Sequence, residues 1–304
     1  MTATPNIAAT IVLYNANLQR LKENISACLP QVERIYLVDN SEHPCFTESK
    51  LQEEWGNNVR YIALGENLGI AAALNRGCQE AKTDGYNWIL TLDQDSVVPQ
   101  NLISAFLKII AENPGNIGII TPQVNAHAKD FHQAATSVEE LTTCITSGSL
   151  TSLEAFTAIG GFNETLFIDN VDTDFSLRLK ENGYRVLRDN SVVMAHQIGN
   201  IREYKWRGRH LFNVTHHNYI RRYYITRNNL YINQHYAKTF GLKSYGAINL
   251  LKQILKVLLF EQDKCRKFTS IRHGIYDFRH GIFGKYNPQQ RKQQTKICCP
   301  NLYR

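Results

Sequence analysis

Short, largely apolar runs alternate along the first two thirds of the chain with stretches whose apolar residues recur at helical spacing. Ile7 to Leu13 is rich in β-branched residues and predicts a strand, and Leu18 to Leu29 follows with helix periodicity. The alternation returns with strands over Arg34 to Val38, Val59 to Leu64 and Tyr86 to Leu92, and an Ala-rich helix over Ile70 to Lys82. A helix over Leu102 to Glu112 and a strand over Ile117 to Thr121 continue it. Such alternation predicts an α/β fold, Rossmann-like, with a mostly parallel sheet and helices on both faces.

From Gln123 to Thr146 the pattern loosens into polar loop or antiparallel chain. A short helix from Leu153 to Ile159 is broken by Gly160-Gly161, a helix is predicted over Asp172 to Glu181, and Tyr184 to Ala195 reads as extended. After Gly199 the composition turns to Arg, His, Tyr and Asn. We place a boundary there, between a catalytic domain at 1–200 and a basic, aromatic C-terminal region at 201–304 expected to be helical. No internal repeat or low-complexity segment interrupts either part.

Charge sharpens that division. The chain of 304 residues carries a net +7, yet residues 201–304 hold 21 Lys+Arg against 4 Asp+Glu, while residues 1–200 hold 13 against 23. An acidic first part thus precedes a tail suited to an anionic partner. Seven cysteines without metal-ligand spacing argue for a reducing compartment rather than a disulfide framework. The first residues carry no charged leader, and no run reaches the ~20 apolar residues of a spanning helix. A cytoplasmic protein, peripheral on the inner face of the membrane, is the expectation.

Candidate chemistry gathers at strand ends. Trp88 to Leu92 runs into Asp93-Gln94-Asp95, two carboxylates delivered to the carboxyl edge of a sheet, where hard cations and phosphates are held. The other reading is a solvated turn with Asp95 capping a helix near Pro99. Tyr14-Asn15 and Asp39-Asn40 end two further strands on the same edge. Asp39 reads either as an Asx turn or as an acceptor for the imide N–H of a uracil or thymine ring. Asn67-Leu-Gly69 and Asn75-Arg-Gly77 recur on a helix that opens just after a strand; it reads either as an Ala-rich core helix with an ordinary cap or as one whose N-terminus favours a phosphate or ribose hydroxyl, Gly69 permitting close approach. Asp172 is an N-cap or a general base, Asp174 and Arg178 form an i, i+4 pair on one helix face, and His196 is a surface residue or a partner of Asp95 on a metal.

Tyr14-Asn15, Val38-Asp39-Asn40-Ser41, Asn67-Leu-Gly69, Asn75-Arg-Gly77, Leu92-Asp93-Gln94-Asp95, Ser147-Gly148-Ser149, Gly160-Gly161-Phe162 and Val171-Asp172 together resemble family 2 glycosyltransferases over about residues 7–200. Phe167 to Arg178 and Arg222-Tyr-Tyr-Ile-Thr-Arg227-Asn228 look like the rhamnosyltransferase branch. The resemblance implies a GT-A fold and an inverting displacement on a nucleotide-diphosphate sugar held through Mg²⁺ or Mn²⁺. It implies that Asp39 meets the base, Asp93 the ribose or donor sugar, Asp95 and His196 the metal, and that Asp172 is the catalytic base. Tyr14, Asn15, Asn40, Asn67, Gly69, Asn75 and Gln94 would join the donor site, with Ser147 and Gly148 as secondary candidates. Many members carry Glu before the base; here Val171 leaves that role unfilled or taken by Asp174 or Asp169. The branch's usual donor is dTDP-β-L-rhamnose and its acceptor a lipid-linked glycan, as in O-antigen or capsule synthesis. A transferase of another sugar, from UDP-glucose or UDP-galactose, is the nearest alternative.

In the tail, Ile248, Leu251, Leu255 and Leu258 share one face of a helix over Gly246 to Phe260, with Lys252, Gln253 and Lys256 outside it. It is read either as an interfacial membrane helix or as a helix packed on the catalytic domain. Tyr219, Arg221, Arg222, Tyr223, Tyr224 and Arg227 offer rings and cations to a diphosphate-lipid head group. A nucleotidyltransferase would place a Gly-rich, cationic loop after the first strand, and Leu13-Tyr14-Asn15-Ala16 is not one. A nucleic-acid binder would leave the strand-end carboxylates without a purpose, so no nucleic acid is expected as partner.

Overall fold

A computed structural model describes residues 6–289 except 45, 126–137, 196–200, 207–208 and 216. An eight-stranded sheet forms its centre, in the order β3-β2-β1-β4-β7-β5-β8-β6. The strands are β1 (Ile7–Leu13), β2 (Arg34–Asp39), β3 (Val59–Ala63), β4 (Trp88–Asp93), β5 (Ile117–Asn125), β6 (Val138–Glu140), β7 (Ser149–Ser152) and β8 (Arg185–Ala195). β1 is flanked in parallel by β2 and β4, and β2 by β3. β7 runs antiparallel between β4 and β5, and β6 antiparallel on β8, so the sheet is mixed but mostly parallel.

All seven residues of β1 are buried, as a central strand covered on both faces requires. Its alternation assigns the faces. Ile7, Ala9, Ile11 and Leu13 pack with Leu21 and Ile25 of α1 (Leu18–Cys28) and, after α2 (Glu48–Trp55) and α3 (Ile70–Thr83), with Phe106 of α4 (Leu102–Glu112). Ala8 and Val12 face the other way, towards α3, α5 (Leu153–Ala158) and α6 (Val171–Glu181). α3 lies close on the sheet because Gly77 has no side chain: a Cβ there would stand 2.1 Å from Thr10 Oγ1.

The polar expanse after Gln123 holds one short antiparallel strand among the described residues, β6. Two departures from the sequence reading follow. Glu48–Trp55 forms a helix with a single buried residue, Leu51, too little apolar periodicity to be seen. The segment after Gly199 is not helical at first. β9 (Ile201–Trp206) and β10 (Arg209–Thr215) form an antiparallel ribbon, and only then come α7 (Tyr219–Phe240), α8 (Ala247–Phe260) and α9 (Lys264–Arg279).

The helical region is fastened by buried charge. Glu261, ending α8, accepts from Arg222 of α7 and from Lys267 of α9, the latter at 2.7 Å, with all three side chains buried. This fixes α8 with Val257 inward and Ile248, Leu251, Leu255, Leu258 and Leu259 exposed. The alternative of an apolar face packed on the catalytic part is therefore not what the fold adopts. No helix among the described residues is long and apolar enough to cross a membrane.

Gly77→Ala is expected to lower stability by about 1–3 kcal/mol through overpacking against Thr10. Urea midpoints measure it; an unchanged midpoint would mean that α3 can lift from the sheet without cost.

Candidate functional site

Three strand ends meet at the carboxyl edge of the parallel strands, and hydrogen bonds tie their loops together. The Tyr14 amide donates to Gln94 Oε1 at 2.7 Å, and Gln94 Nε2 donates back to the Tyr14 carbonyl at 3.2 Å. The Asn15 amide, at φ 47°, donates to Ser41 Oγ at 2.8 Å. The Asn40 side chain donates to Asn67 Oδ1 at 3.2 Å and accepts the Leu68 amide at 2.8 Å, joining the loop after β2 to the one before α3. Ser147 Oγ receives the Asp93 amide at 3.1 Å and lies 2.8 Å from Ser96 Oγ, while the Gly148 amide caps the Thr91 carbonyl. Tyr14, Asn15, Asp39, Asn40, Asn67, Asp93, Gln94, Ser147 and Gly148 thus converge on one edge.

Asp39 is buried, with Oδ1 accepting the Ser41 amide at 3.0 Å and Oδ2 accepting Tyr61 OH at 2.6 Å. The Asx turn is formed, and it holds the carboxylate rigidly. Asp95 is exposed and makes no hydrogen bond or ion pair to a described residue; the α4 N-cap position belongs to Asn101. No group of three His, Cys, Asp or Glu side chains able to hold a metal occurs among the described residues. Mg²⁺-type sites use one or two carboxylates and complete their shell with phosphate oxygens and water. An unencumbered carboxylate beside Asp93 fits such an ion. His196 lies outside the described residues.

Two residues expected at the donor site, Gly69 and Asn75, contact the protein's own backbone. At Gly69 (φ 92°) a Cβ would stand 2.6 Å from the Phe167 carbonyl, and the Ile70 amide donates to that carbonyl at 2.8 Å. The Phe167 backbone makes a close approach at the α3 N-terminus. Asn75 donates to the Phe162 carbonyl and Glu164 Oε1, and accepts the Phe162 amide at 2.7 Å. It pins the Gly160–Phe162 turn. Open grooves of about 540 and 580 Å³ run along α3 and α5, and neither is lined by a strand-end carboxylate.

Asp172 stands in the first turn of α6, two residues after Asn170 in the N-cap position. Burial pushes its carboxyl up to about 6, the Thr173 amide donating to Oδ1 at 2.8 Å works against this, and the negative charges of Asp169 and Asp93 add to the rise. Sequence-distant carboxylates from β4 and α6 therefore share one field. A carboxyl of this affinity can take up or release a proton near neutral pH. Asp174, in contrast, is fully buried, paired with Arg178 at 2.8 Å and accepting Tyr236 OH at 2.8 Å. Asp174 and Arg178 join α6 to α7 and to the Ile159 carbonyl rather than facing the edge.

The loop before α6 carries what sequence reasoning missed. Phe167, Asp169 and Asn170 all have φ above +60°. Asp169 is paired with Arg221 at 3.1 Å, and its Oδ2 is buried without a hydrogen-bond partner. Arg227 and Asn228 of α7 are wholly buried and bind the carbonyls of this loop. Arg222, Tyr223 and Tyr224 are buried as well, so of the cations and rings expected to meet a head group, Arg221 and Tyr219 alone keep exposure.

The model of the family described as glycosyl transferase family 2 matches residues 9–162. A dTDP-rhamnosyl transferase, RfbF, of Shigella flexneri is 30% identical over 240 residues, covering 73% of this chain and 78% of that protein. Among solved structures, GalNAc-T7 with UDP, GalNAc and Mn²⁺ aligns at TM-score 0.57 and 15% identity over 93% of this chain, which spans 58% of that longer one. The mannosyltransferase PcManGT of Pyrobaculum calidifontis, with GDP-Man and Mn²⁺, aligns at TM-score 0.54 and 15% identity, over 99% of this chain and 82% of that one. The two structures show a shared fold, GT-A.

A carboxyl whose folded-state affinity rises from an ordinary 3.8 to about 6 holds its proton more tightly when folded, so it costs stability as pH climbs through that window. Asp172→Asn should accordingly be the more stable protein above pH 7, by up to about 3 kcal/mol, and equal to wild type near pH 4. Denaturant midpoints at the two pH values measure this, and equal midpoints at both would contradict it.

Proposed function

The chain belongs to glycosyl transferase family 2 and is a glycosyltransferase; from that premise we propose that it transfers L-rhamnose from dTDP-β-L-rhamnose, with inversion, to a lipid-linked saccharide in cell-surface polysaccharide assembly. The observation that carries the reading is Asp172, a carboxylate of raised proton affinity in the field of the β4 strand end. For the donor, the support is the rhamnosyl relative. UDP-glucose and UDP-galactose are the competing donors.

In this reading the exposed Tyr14 ring and the rigid Asp39 carboxylate receive the pyrimidine, with the imide N–H as Asp39's complement. Asp93 meets ribose or sugar hydroxyls. The acceptor hydroxyl attacks the anomeric carbon opposite the diphosphate and gives its proton to Asp172, and a single displacement inverts the centre. Asp95, together with His196, would hold Mg²⁺ or Mn²⁺, which supplies charge neutralisation at the leaving diphosphate.

Placement at an anionic membrane surface, cytoplasmic and peripheral, is part of the same proposal. Its support is the exposed row Ile248, Leu251, Leu255, Leu258 and Leu259 on α8, flanked by Lys252 and Lys256 in a strongly basic region. Apolar burial and attraction to anionic lipid, roughly 1 kcal/mol per basic residue near the surface, act together there.

Release of free nucleoside diphosphate from a panel of dTDP-, UDP- and GDP-sugars tests the donor, with dTDP-rhamnose expected to lead. Activity should vanish in excess chelator and return with Mg²⁺ or Mn²⁺. Asp172→Asn should fold, bind donor and lose at least ~100-fold in turnover. Turnover of a UDP-sugar alone would replace rhamnose, and full activity in chelator would remove the metal.

Changing Leu251, Leu255 and Leu258 to Ser should abolish flotation with anionic vesicles while leaving the melting temperature and donor turnover unchanged, because these side chains are 56%, 46% and 42% exposed. A wild type that never floats, even at low salt, would contradict the membrane placement.

A further inference from the structure

Neighbouring side chains of α7 engage the loop that delivers Asp172. Asn228 Nδ2 lies 3.0, 2.8 and 2.8 Å from the carbonyl oxygens of Leu166, Ile168 and Asp169. Its Oδ1 accepts Arg227 Nε at 2.9 Å. Arg227 in turn donates to the carbonyls of Leu166 at 2.9 Å, Thr165 at 3.2 Å and Gly284 at 2.9 Å. Asn229 accepts from Asn170 at 2.8 Å, and Arg221 pairs with Asp169. The loop from Thr165 to Asn170 is thereby held by one helix at the carbonyls of Thr165, Leu166, Ile168 and Asp169 and at the side chains of Asp169 and Asn170.

This arrangement is costly in itself. Arg227 is a wholly buried cation that donates to carbonyls, the Tyr223 hydroxyl and the Asn228 amide oxygen, with the Tyr223, Tyr224 and Phe283 rings 5.1–5.3 Å from its guanidinium carbon. Burying an arginine on neutral acceptors forgoes the compensation of a carboxylate partner. The loop it secures holds three non-glycine residues at positive φ within four positions. Strained backbone persists where its surroundings over-determine it, and here the over-determination comes from outside the sheet.

We propose that Arg227 and Asn228 are positioning residues: they force the Phe167–Asn170 loop into the left-handed conformation that presents Asp172 as the base. The proposal rests on the transferase reading above. It makes the C-terminal helical region part of the construction of the catalytic edge. The same helix continues to Arg222, bound to Glu261 at the end of α8, so the support of the base and the orientation of α8 share one element.

Asn228→Ala, Arg227→Lys and the milder Asn229→Ala, which removes a single hydrogen bond to Asn170, provide the test. With purified full-length protein and the donor selected by the panel, Asn228→Ala should lower kcat at least 10-fold and leave donor KM within about 2-fold. Asn229→Ala should lower kcat about 3-fold. The acid limb of the kcat profile should also move below the wild-type value. A slack loop admits water to Asp172, whose field from Asp169 with Arg221, Asp93, Cys144 and Tyr245 otherwise stays as it is. Arg227→Lys, which keeps charge but not the fork, should fall between the two variants. Should kcat drop only in proportion to the folded fraction, with the acid limb unmoved in all three, the residues are merely structural and the proposal fails. A wild type inert towards every sugar nucleotide would overturn the proposed donor reaction, and a fully active Asp172→Asn the assignment of the base; either would take this proposal with it. An active, Asp172-dependent wild type alongside kinetically unaltered variants would overturn this proposal alone.

Discussion

The fold turns on a short stretch of backbone that is unfavourable by itself. Phe167, Asp169 and Asn170 at φ 65°, 66° and 62° cost of order 1–3 kcal/mol each, with the aromatic residue the least tolerant of that region. Asn and Asp accept a left-handed conformation more readily, which leaves Phe167 as the position most in need of support. It has that support on both sides. Its carbonyl takes the Ile70 amide at 2.8 Å, and its ring stacks on Tyr224 with centroids 5.1 Å apart. Sheet edge, α3 and α7 are thus all joined through one strained residue.

This gives Gly69 a structural role. The Phe167 carbonyl occupies the space beside it, so a side chain at 69 would push the loop away from α3 and shift the start of α6 with it. It also explains why the acidic first part and the basic tail are a single device. The tail's internal cations, Arg222, Arg227 and Lys267, are spent on Glu261, on loop carbonyls and on packing. The apolar row of α8 stays exposed.

Much of the architecture was legible from periodicity. The bounds of β1 and α4 fall where the apolar pattern puts them, because central elements show burial directly in sequence. α2 escaped because it buries Leu51 alone, and the β9–β10 ribbon because its Arg, His and Tyr composition hides any alternation. The strand-end residues converge on one edge, as expected, because parallel topology forces it. Asn75 and Gly69 were placed on the right segment but serve the protein's own backbone. The roles of Asp169, Arg227 and Asn228 could not be read, since positive φ in non-glycine residues and the burial of an arginine are consequences of tertiary packing. The adjacent Arg-Asn pair inside a helical stretch was the available signal, and its cations pointed outward to a head group when they in fact turn inward.

The account stands or falls on the state of one carboxyl group. Direct titration of Asp172 in the free protein by ¹³C NMR of its side-chain carboxyl, assigned by its disappearance in Asp172→Asn, reads that state without any substrate. An apparent pKa close to 6 is the expected result. A value near the ordinary 3.8 would mean that the loop leaves Asp172 hydrated and unpoised, and would contradict the proposed base.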